Sequence, residues 1–275
     1  MKALIKEAGR VQLVEVSRPL LRRPDDVLVE VRIAGICRTD LFVADGAIAS
    51  ADPITLGHEL CGRVIAGALP IGTRVTADPR IEGGFLGVTR HGAFADAVVV
   101  PAANLHVLPD SLDPRLGAYV EPVAAALAVP ALGTFTREAR IAVFGDNRFA
   151  HLIERVLRIE GFAATRITGP IEAGSIDVGV ETSATAEELA ILAAAVGPGG
   201  QLIVKSRMPE PLVLPTLAVH RAAYGSFSRA IELLASGALD VADLLGEVFP
   251  LARHADAFAR ARAGETHKLF LRPGT

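Results

Sequence analysis

The sequence predicts an α/β protein with two parts that differ in local pattern. Up to about residue 125, short segments rich in Val and Ile alternate with Gly, Pro and Asp, as in "DDVLVEVRIAGI" and "GAFADAVVVP". This pattern is typical of strands and turns. Beyond that point strands alternate with helices, the order that produces a parallel sheet covered by helices. The final segment, "EVFPLARHADAFARARAGETHKLFLRP", predicts a turn, a helix and a closing strand.

Each element of the second part follows from a local signal. "RIAVFG" predicts a strand, and apolar residues then recur at helical spacing, namely Phe149, Leu152, Ile153, Val156 and Leu157. "AATRIT" and "IDVGVE" predict two further strands. Thr185 and Glu188 have the spacing of a capping box, which predicts the start of the next helix. "GGQLIVKS" predicts a strand, and "SFSRAIELLASG" predicts a helix.

Composition excludes several classes of protein. The chain has 275 residues, 51% of them hydrophobic, and a net charge of −3 with both signs mixed along its length. It is long and apolar enough for a sizeable core, and no basic block suggests a nucleic-acid partner. The most apolar stretch, "AYVEPVAAALAVPALG", is interrupted by Glu121, Pro122 and Pro130, which argues against a membrane span. Two cysteines do not make a disulfide framework. We therefore expect a cytoplasmic protein.

The chemistry-bearing residues of the first part have the types that zinc binds. "GICRTD" contains Cys37, "GHELCG" contains His58 and Glu59, and Glu121 follows in "VEP". Thiolate, imidazole and carboxylate are the ligands of catalytic zinc, which keeps one coordination position open. The residues alone leave alternatives, because a lone Cys is often a small buried apolar residue and Gly-His-Glu is often a turn.

Many motifs, taken in order, resemble the zinc-containing medium-chain dehydrogenase/reductase (alcohol dehydrogenase) superfamily. They include "AGICRTD", "GHELCG", "GTRV", "VEPVAAAL", "VFGD" and "GPGGQLIVKS". "VFGDNRFAHLIERVL" and "LIVKS" are most similar to its threonine-dehydrogenase-like branch, of which this chain resembles a shortened member. The resemblance implies a GroES-like β-barrel catalytic domain, residues 1–125 plus 246–275, and a reduced Rossmann-type sheet domain, residues 126–245. We also expect a homo-oligomer, a dimer.

The resemblance also implies a role for individual residues of the first part. Cys37, His58 and Glu59 match the catalytic zinc ligands, and Glu121 matches an acidic residue that approaches the same metal in polyol-dehydrogenase-like members. These four residues form the predicted metal site, and Glu59 is also counted among the catalytic residues. The four closely spaced cysteines of the family's structural-zinc lobe are absent from "ADPRIEGGFLGVTRHGAF". We therefore expect one catalytic zinc and no structural zinc.

The helix that follows Cys37 carries the other predicted catalytic residues. Thr39 matches the hydroxyl that passes on the alcohol proton, and Asp40 matches a carboxylate behind the metal ligands. Arg38 matches a phosphate-contacting arginine of some members. Some members relay protons through a histidine five residues after the Cys, where this chain has Phe42. The relay is therefore expected to stop at Thr39 or to use water.

The turn after "RIAVF" has the outline of a dinucleotide-binding site but keeps only the first of its three glycines. It reads Gly145-Asp-Asn-Arg-Phe-Ala150 instead of G-x-G-x-x-G. Asn147 is expected to be the mildest loss, since Asn sometimes adopts a positive φ, and Arg148 is a candidate phosphate contact. The pyrophosphate is expected at free N–H groups of the helix start. The nicotinamide is expected beside Glu181 and Thr182.

The adenosine half of this site is expected to be missing. No acidic residue stands where the ribose would be held, near Thr168 and Gly169. Only the seven residues "GPIEAGS" separate "AATRIT" from "IDVGVE", whereas a crossover helix needs about a dozen or more. Seven extended residues reach ~24 Å, just more than the ~20 Å needed to return over the sheet. NAD or NADP is therefore expected to bind weakly.

Two classes of function, both with a small-molecule substrate, remain open at this point. The first is a zinc-dependent alcohol or polyol dehydrogenase that transfers hydride between an alcohol or carbonyl substrate and NAD(P). The second is a non-redox zinc enzyme, such as a lyase, hydratase or cyclase, that has lost normal dinucleotide binding. A third interpretation, a non-catalytic relative, is disfavoured because all four ligand-type positions are present. The dehydrogenase is the prediction.

Overall fold

A computed structural model describes residues 1–183, 185–206, 217–264 and 266–274. The strands are β1 Lys2–Glu7, β2 Arg10–Glu15, β3 Asp26–Gly35, β4 Ile54–Thr55, β5 Glu59–Gly67, β6 Arg74–Ala77, β7 Arg80–Ile81, β8 Gly84–Phe85, β9 Ala97–Pro101, β10 Leu105–Val107, β11 Ile141–Phe144, β12 Ala164–Ile167, β13 Ile176–Glu181, β14 Val196–Val204, β15 Ala218–Arg221, β16 Leu245–Pro250 and β17 Lys268–Arg272. The helices are α1 Arg38–Ala44, α2 Pro114–Ala131, α3 Arg148–Ile159, α4 Ala186–Ala195, α5 Phe227–Ala235 and α6 His254–Arg262.

The chain forms two compact units, Met1–Glu121 with Val241–Thr275, and Pro122–Asp240. The sequence analysis expected the first part to end at residue 125 and the second at residue 245. The observed divisions lie four and five residues earlier, after Glu121 and after Asp240. The first division falls inside α2, whose 18 residues include Pro122 and Pro130. Because the helix continues through Pro122, the division between units is not marked by a loop. Among the described residues, no helix combines the length and apolar character needed to cross a bilayer.

The first unit is a mixed β structure with an apolar interior. Its largest sheet has the strand order β10-β6-β5-β3-β17-β16, with β9 also paired to β3. A second sheet of order β2-β1-β4 is joined to this region by a bridge between Ala3 and Ala95. Alternating apolar residues of β3, β5 and β9 fill the core together with the closing strand β17. The expected strands are present, and the C-terminal strands β16 and β17 belong to the large sheet.

The second unit is a five-stranded parallel sheet of order β12-β11-β13-β14-β15. This equals the doubly wound order 3-2-1-4-5-6 with strand 3 missing. The apolar stripe of α3 is buried as its spacing predicts, with Leu152, Ile153, Val156 and Leu157 fully inaccessible. The expected α/β class, with a β-rich part and a reduced parallel sheet, is confirmed.

The connection between β12 and β13 explains how the sheet is reduced. Both strands run parallel to β11 and lie on either side of it, so the connection crosses two strand spacings. Residues 168–175 contain no helix. A short extended segment therefore replaces the helix-strand-helix expected in an unreduced fold, and the sheet ends at β12.

Candidate metal centre and dinucleotide turn

The ladder between β3 and β5 brings the predicted metal ligands together. Gly35, the last residue of β3, pairs with Glu59, the first residue of β5. Cys37 follows two residues later as the N-cap of α1, and His58 directly precedes β5. Two segments that are far apart in sequence therefore meet at one end of an antiparallel pair.

The resulting cluster has the donor atoms and the burial of a metal site. Cys37, His58 and Glu59 place a sulfur, a ring nitrogen and a carboxylate oxygen within 4.8 Å of one another. No other set of three such residues occurs in the part of the chain that the structure describes. Cys37 is partly accessible, whereas His58 and Glu59 are buried. A sulfur, an imidazole nitrogen and a carboxylate oxygen that lie this close and are buried or half-buried are the ligand types of zinc, so the residues fit this metal.

Glu121, the fourth candidate ligand, lies beside His58 of this cluster. Its Oε1 is 3.7 Å from Nε2 of His58, and its side chain is buried. It belongs to α2, which is continuous through Pro122. The structure thus gathers all four predicted ligands, and a carboxylate from either Glu59 or Glu121 is available as the third ligand.

Asp40 orients two of these ligands at once. Its Oδ2 accepts the backbone N–H of Cys37 at 2.8 Å, and its Oδ1 pairs with Nδ1 of His58 at 2.9 Å. With Nδ1 engaged by the carboxylate, Nε2 is the nitrogen left to bind a metal. Burial alone would lower the pKa of His58, but the charge and hydrogen bond of Asp40, with Cys37, hold this pKa well above its ordinary value.

A buried lysine, not singled out by the sequence, neutralises Glu59. Lys268, at the start of β17, forms an ion pair with the Glu59 carboxylate, and both side chains are at most 3% exposed. Gly35 makes room for this pair, because a Cβ at that position would lie 2.1 Å from Oε2 of Glu59 and 2.7 Å from Cε of Lys268. The available signal was a lysine that opens the strand "KLFLR" directly before three apolar residues.

The remaining predicted residues of this unit lie on α1. Arg38 and Thr39 occupy its first turn, directly after Cys37, and both are partly accessible. Phe42 is 39% exposed and has no group that carries a proton. These positions agree with a proton path that uses Thr39 or water.

The dinucleotide turn differs from the expectation at Asn147. Gly145 has the left-handed φ of +118° that the turn requires. Asn147 has φ −90° and is the N-cap of α3, so it does not use the positive φ that asparagine can adopt. Its Oδ1 accepts the N–H groups of Phe149 and Ala150 at 3.0 and 3.1 Å. These two N–H groups are therefore not free, and the turn in this conformation does not fit a pyrophosphate bound to them.

Thr182 and Glu181, the residues predicted to lie beside the nicotinamide, bond within the unit. The Thr182 hydroxyl donates to the carbonyl of Phe144 at 2.7 Å and accepts from Nδ2 of Asn147 at 2.8 Å. The Glu181 carboxylate is buried and accepts from the backbone of Ser183 and from Ser206. It holds together the chain segments that follow β13 and β14.

The charges around this turn are mixed. Arg148, a candidate phosphate contact, is the first residue of α3 and is half-buried. Asp146, which the sequence analysis did not use, lies within the turn and pairs with Arg166 and His151. Its carboxylate is largely exposed, so a negative charge stands beside the helix end.

Comparison with known proteins supports the architecture. Residues 23–110 match the alcohol dehydrogenase GroES-like domain family. The chain is 27% identical to L-threonine 3-dehydrogenase of Saccharopolyspora erythraea over 341 aligned positions, which cover 98% of each protein. It is 25% identical over 326 positions to the probable D-xylulose reductase A of Aspergillus clavatus, covering 92% of this chain and 91% of the relative. Both alignments are longer than the chain, so they contain segments that this chain lacks.

A solved structure shows the same fold. It is from Sinorhizobium meliloti 1021, is described as a zinc-binding dehydrogenase bound to NADP, and superposes with a TM-score of 0.86 at 24% identity over 99% of each chain. The GroES-like unit, the buried cluster and the doubly wound sheet define a two-unit dehydrogenase-type fold. The matched domain and the full-length relatives support the medium-chain dehydrogenase/reductase superfamily for this chain.

Proposed function

We propose that this chain is a zinc-dependent alcohol or polyol dehydrogenase-like oxidoreductase that transfers hydride between an alcohol or carbonyl substrate and NAD(P). The observation that carries the proposal is the cluster of Cys37, His58 and Glu59, with donor atoms within 4.8 Å of one another. The sequence relatives named as threonine and xylulose-type oxidoreductases support the same class and do not favour the non-redox alternative.

The first group implied by this proposal is one zinc ion held by Cys37, His58 and a carboxylate of Glu59 or Glu121. Bound zinc supplies Lewis-acid polarisation of a substrate oxygen and so lowers the pKa of an alcohol. Asp40 supports this site by fixing the ring of His58 and the backbone of Cys37. Because Lys268 neutralises Glu59, Glu121 is the more readily available third ligand.

The protein residues then bind the substrate and remove its proton. Thr39 lies two residues after Cys37 in the first turn of α1 and is proposed to accept the alcohol proton. Phe42 occupies the position of a histidine relay, so we propose that water carries the proton from Thr39 onward. The second implied group, the nicotinamide dinucleotide, supplies the hydride acceptor.

Three further features belong to the same proposal. The short hairpin of β7 and β8 occupies the region of the structural-zinc lobe, which supports one zinc per chain.

Both cysteines are free thiols, in keeping with a cytoplasmic location. A homodimer is proposed as the oligomeric state, and light scattering of the purified protein would measure it.

Metal analysis tests the zinc site directly. Protein purified without chelator is expected to contain about one zinc per chain, the stoichiometry of a single catalytic site. Cys37→Ser is expected to lose most of it. Cys61→Ala is the matched control, because Cys61 is also in this unit but lies outside the cluster. Full zinc retention by Cys37→Ser would rule out this site.

Activity is measured as formation of NADH or NADPH from NAD⁺ or NADP⁺ with a panel of polyols, secondary alcohols and β-hydroxy amino acids. Oxidation that disappears in Cys37→Ser and falls strongly in Thr39→Val would support the proposal. A zinc-loaded protein that reduces neither cofactor with any of these alcohols, and oxidises neither with the corresponding carbonyl compounds, would contradict it.

A further inference from the structure

We infer that Asn147 is a built-in competitor for the dinucleotide: its side chain occupies the anion-binding end of α3, so that NAD(P) binds only after this side chain has rotated away. The inference rests on the proposed function, since it concerns the same cofactor. It assigns to one residue of this chain the control of cofactor affinity.

The hydrogen bonds of the turn show which N–H groups at the start of α3 already have a partner. A pyrophosphate in a doubly wound fold binds backbone N–H groups at the start of the helix after the first strand. In α3 the N–H groups of Phe149 and Ala150 both donate to Oδ1 of Asn147, at 3.0 and 3.1 Å. The amide oxygen thus takes the place that a phosphate oxygen would take.

The other end of the Asn147 amide is also held. Nδ2 donates to the hydroxyl of Thr182 at 2.8 Å, and this hydroxyl donates in turn to the carbonyl of Phe144 at 2.7 Å. The chain of bonds connects α3 to the ends of β11 and β13. Three hydrogen bonds therefore hold the side-chain amide of Asn147 in place. All three must break or rearrange when a pyrophosphate binds to the start of α3.

The space over Gly145 is occupied by side chains of the same unit. In a dinucleotide site, glycine allows the backbone to approach the pyrophosphate closely. A Cβ placed on Gly145 would lie 2.9 Å from Nδ2 of Asn147 and 2.9 Å from Oγ1 of Thr182. Because Gly145 has no Cβ, the side chains of Asn147 and Thr182 can lie close to its backbone, in the space that a pyrophosphate would need.

The charges at this turn are mixed and paired with one another. Asp146 has a side chain that is 72% exposed, and its carboxylate interacts with Arg166 and His151. Arg166 also lies near Glu154, so acidic groups of the same unit already engage this cation. The occupied helix end, rather than the local charge, therefore opposes the pyrophosphate.

The deciding experiment compares cofactor binding to the wild-type protein and to Asn147→Gly, both zinc-loaded. NADH and NADPH are titrated while nicotinamide fluorescence is followed, so that no catalytic activity is required. Glycine is a tolerated helix N-cap, so this variant is expected to fold, and its thermal unfolding is recorded alongside. We expect Asn147→Gly to bind at least one of the two cofactors more tightly, by on the order of tenfold or more, because three hydrogen bonds no longer oppose binding.

Asn147→Asp is the matched control. Aspartate is an equally good N-cap and keeps the acceptor at Phe149 and Ala150, but it adds a negative charge, so its affinity is expected to stay at or below that of the wild type. Thr182→Val, which removes the partner of Nδ2, is expected to fall between the wild type and Asn147→Gly.

The outcomes separate this inference from the proposed function. Equal affinity of the wild type and Asn147→Gly, with both binding, would overturn the role of Asn147 and leave the dehydrogenase proposal intact. A gain in Asn147→Asp equal to that in Asn147→Gly would also overturn it. Absence of binding by both proteins at millimolar cofactor, with zinc retained, would overturn the inference and the dehydrogenase proposal together.

Discussion

The carboxylate of Asp40 bridges Nδ1 of His58, at 2.9 Å, and the backbone N–H of Cys37, at 2.8 Å. One side chain thus sets the orientation of two proposed zinc ligands, one at the N-cap of α1 and the other directly before β5. Asp40 and His58 are each 1% exposed, so solvent cannot substitute for either partner. The arrangement is the carboxylate–histidine support common behind metal-bound imidazoles.

Asp40→Asn is therefore expected to weaken zinc binding by about 10–100-fold. The asparagine amide has no negative charge, and only its oxygen can accept a hydrogen bond. It therefore cannot accept from both the backbone N–H of Cys37 and Nδ1 of His58. Competition with a zinc chelator measures the affinity. Asp45→Asn is the control, since Asp45 ends the same helix but pairs with Arg262 at the surface. Unchanged zinc affinity in Asp40→Asn would show that His58 does not need this support.

Lys268→Met is expected to destabilise the metal-free protein by about 3–5 kcal/mol, because it leaves the Glu59 carboxylate buried without a partner. Urea unfolding in the presence of a chelator measures this loss. The double variant Glu59→Gln with Lys268→Met should lose less than Lys268→Met alone. Zinc should stabilise Lys268→Met more than the wild type if Glu59 then binds the metal. A double variant no more stable than Lys268→Met would contradict the pairing.

Gly35→Ala is expected to lower the free energy of unfolding by about 1–3 kcal/mol, because the new methyl group overlaps the buried pair of Glu59 and Lys268. Gly169→Ala is the matched control, since nothing lies within 4 Å of a Cβ at Gly169. Its effect should stay within about 0.5 kcal/mol. Equal stability of the two alanine variants would mean that the pair can move aside without cost.

Asp177 is expected to titrate at an unusually low pH. Its hydrogen bonds to the side chain and backbone of Arg140 lower the pKa of its carboxyl from 3.8 to about 2. Because the folded-state pKa is the lower one, the contribution of this pair to stability is present above pH 3.8 and is lost as the pH falls towards 2. Carboxyl chemical shifts measured by NMR would check this.

Arg140→Gln should return the pKa of Asp177 towards its ordinary value. Asp177→Asn should remove the corresponding dependence of stability on pH. The same pKa in the wild type and in Arg140→Gln would show that the arginine is not the cause of the shift.

Local patterns were sufficient for most elements and for the composition of the metal cluster. The periodicity of α3 predicted its buried stripe, because a helix presents every third or fourth residue to one side. The length of "GPIEAGS" predicted a connection without a helix, because seven residues cannot contain a crossover helix. The residue types Cys37, His58 and Glu59 are ones that zinc binds, but they left alternatives open until the family resemblance implied a metal site.

Contacts between distant residues had to be seen in three dimensions. Lys268 lies more than two hundred positions from Glu59, and only the pairing of β17 with β3 and of β3 with β5 brings the two side chains together. The sequence also could not predict that Asn147 caps α3. Both a positive φ and a capping conformation are open to asparagine, and the hydroxyl of Thr182, at the end of another strand, favours the capping conformation. The sequence by itself determined which candidate metal ligands this protein has. The tertiary structure decided which of them are paired, because ion pairs and hydrogen bonds depend on distances that strand pairing sets.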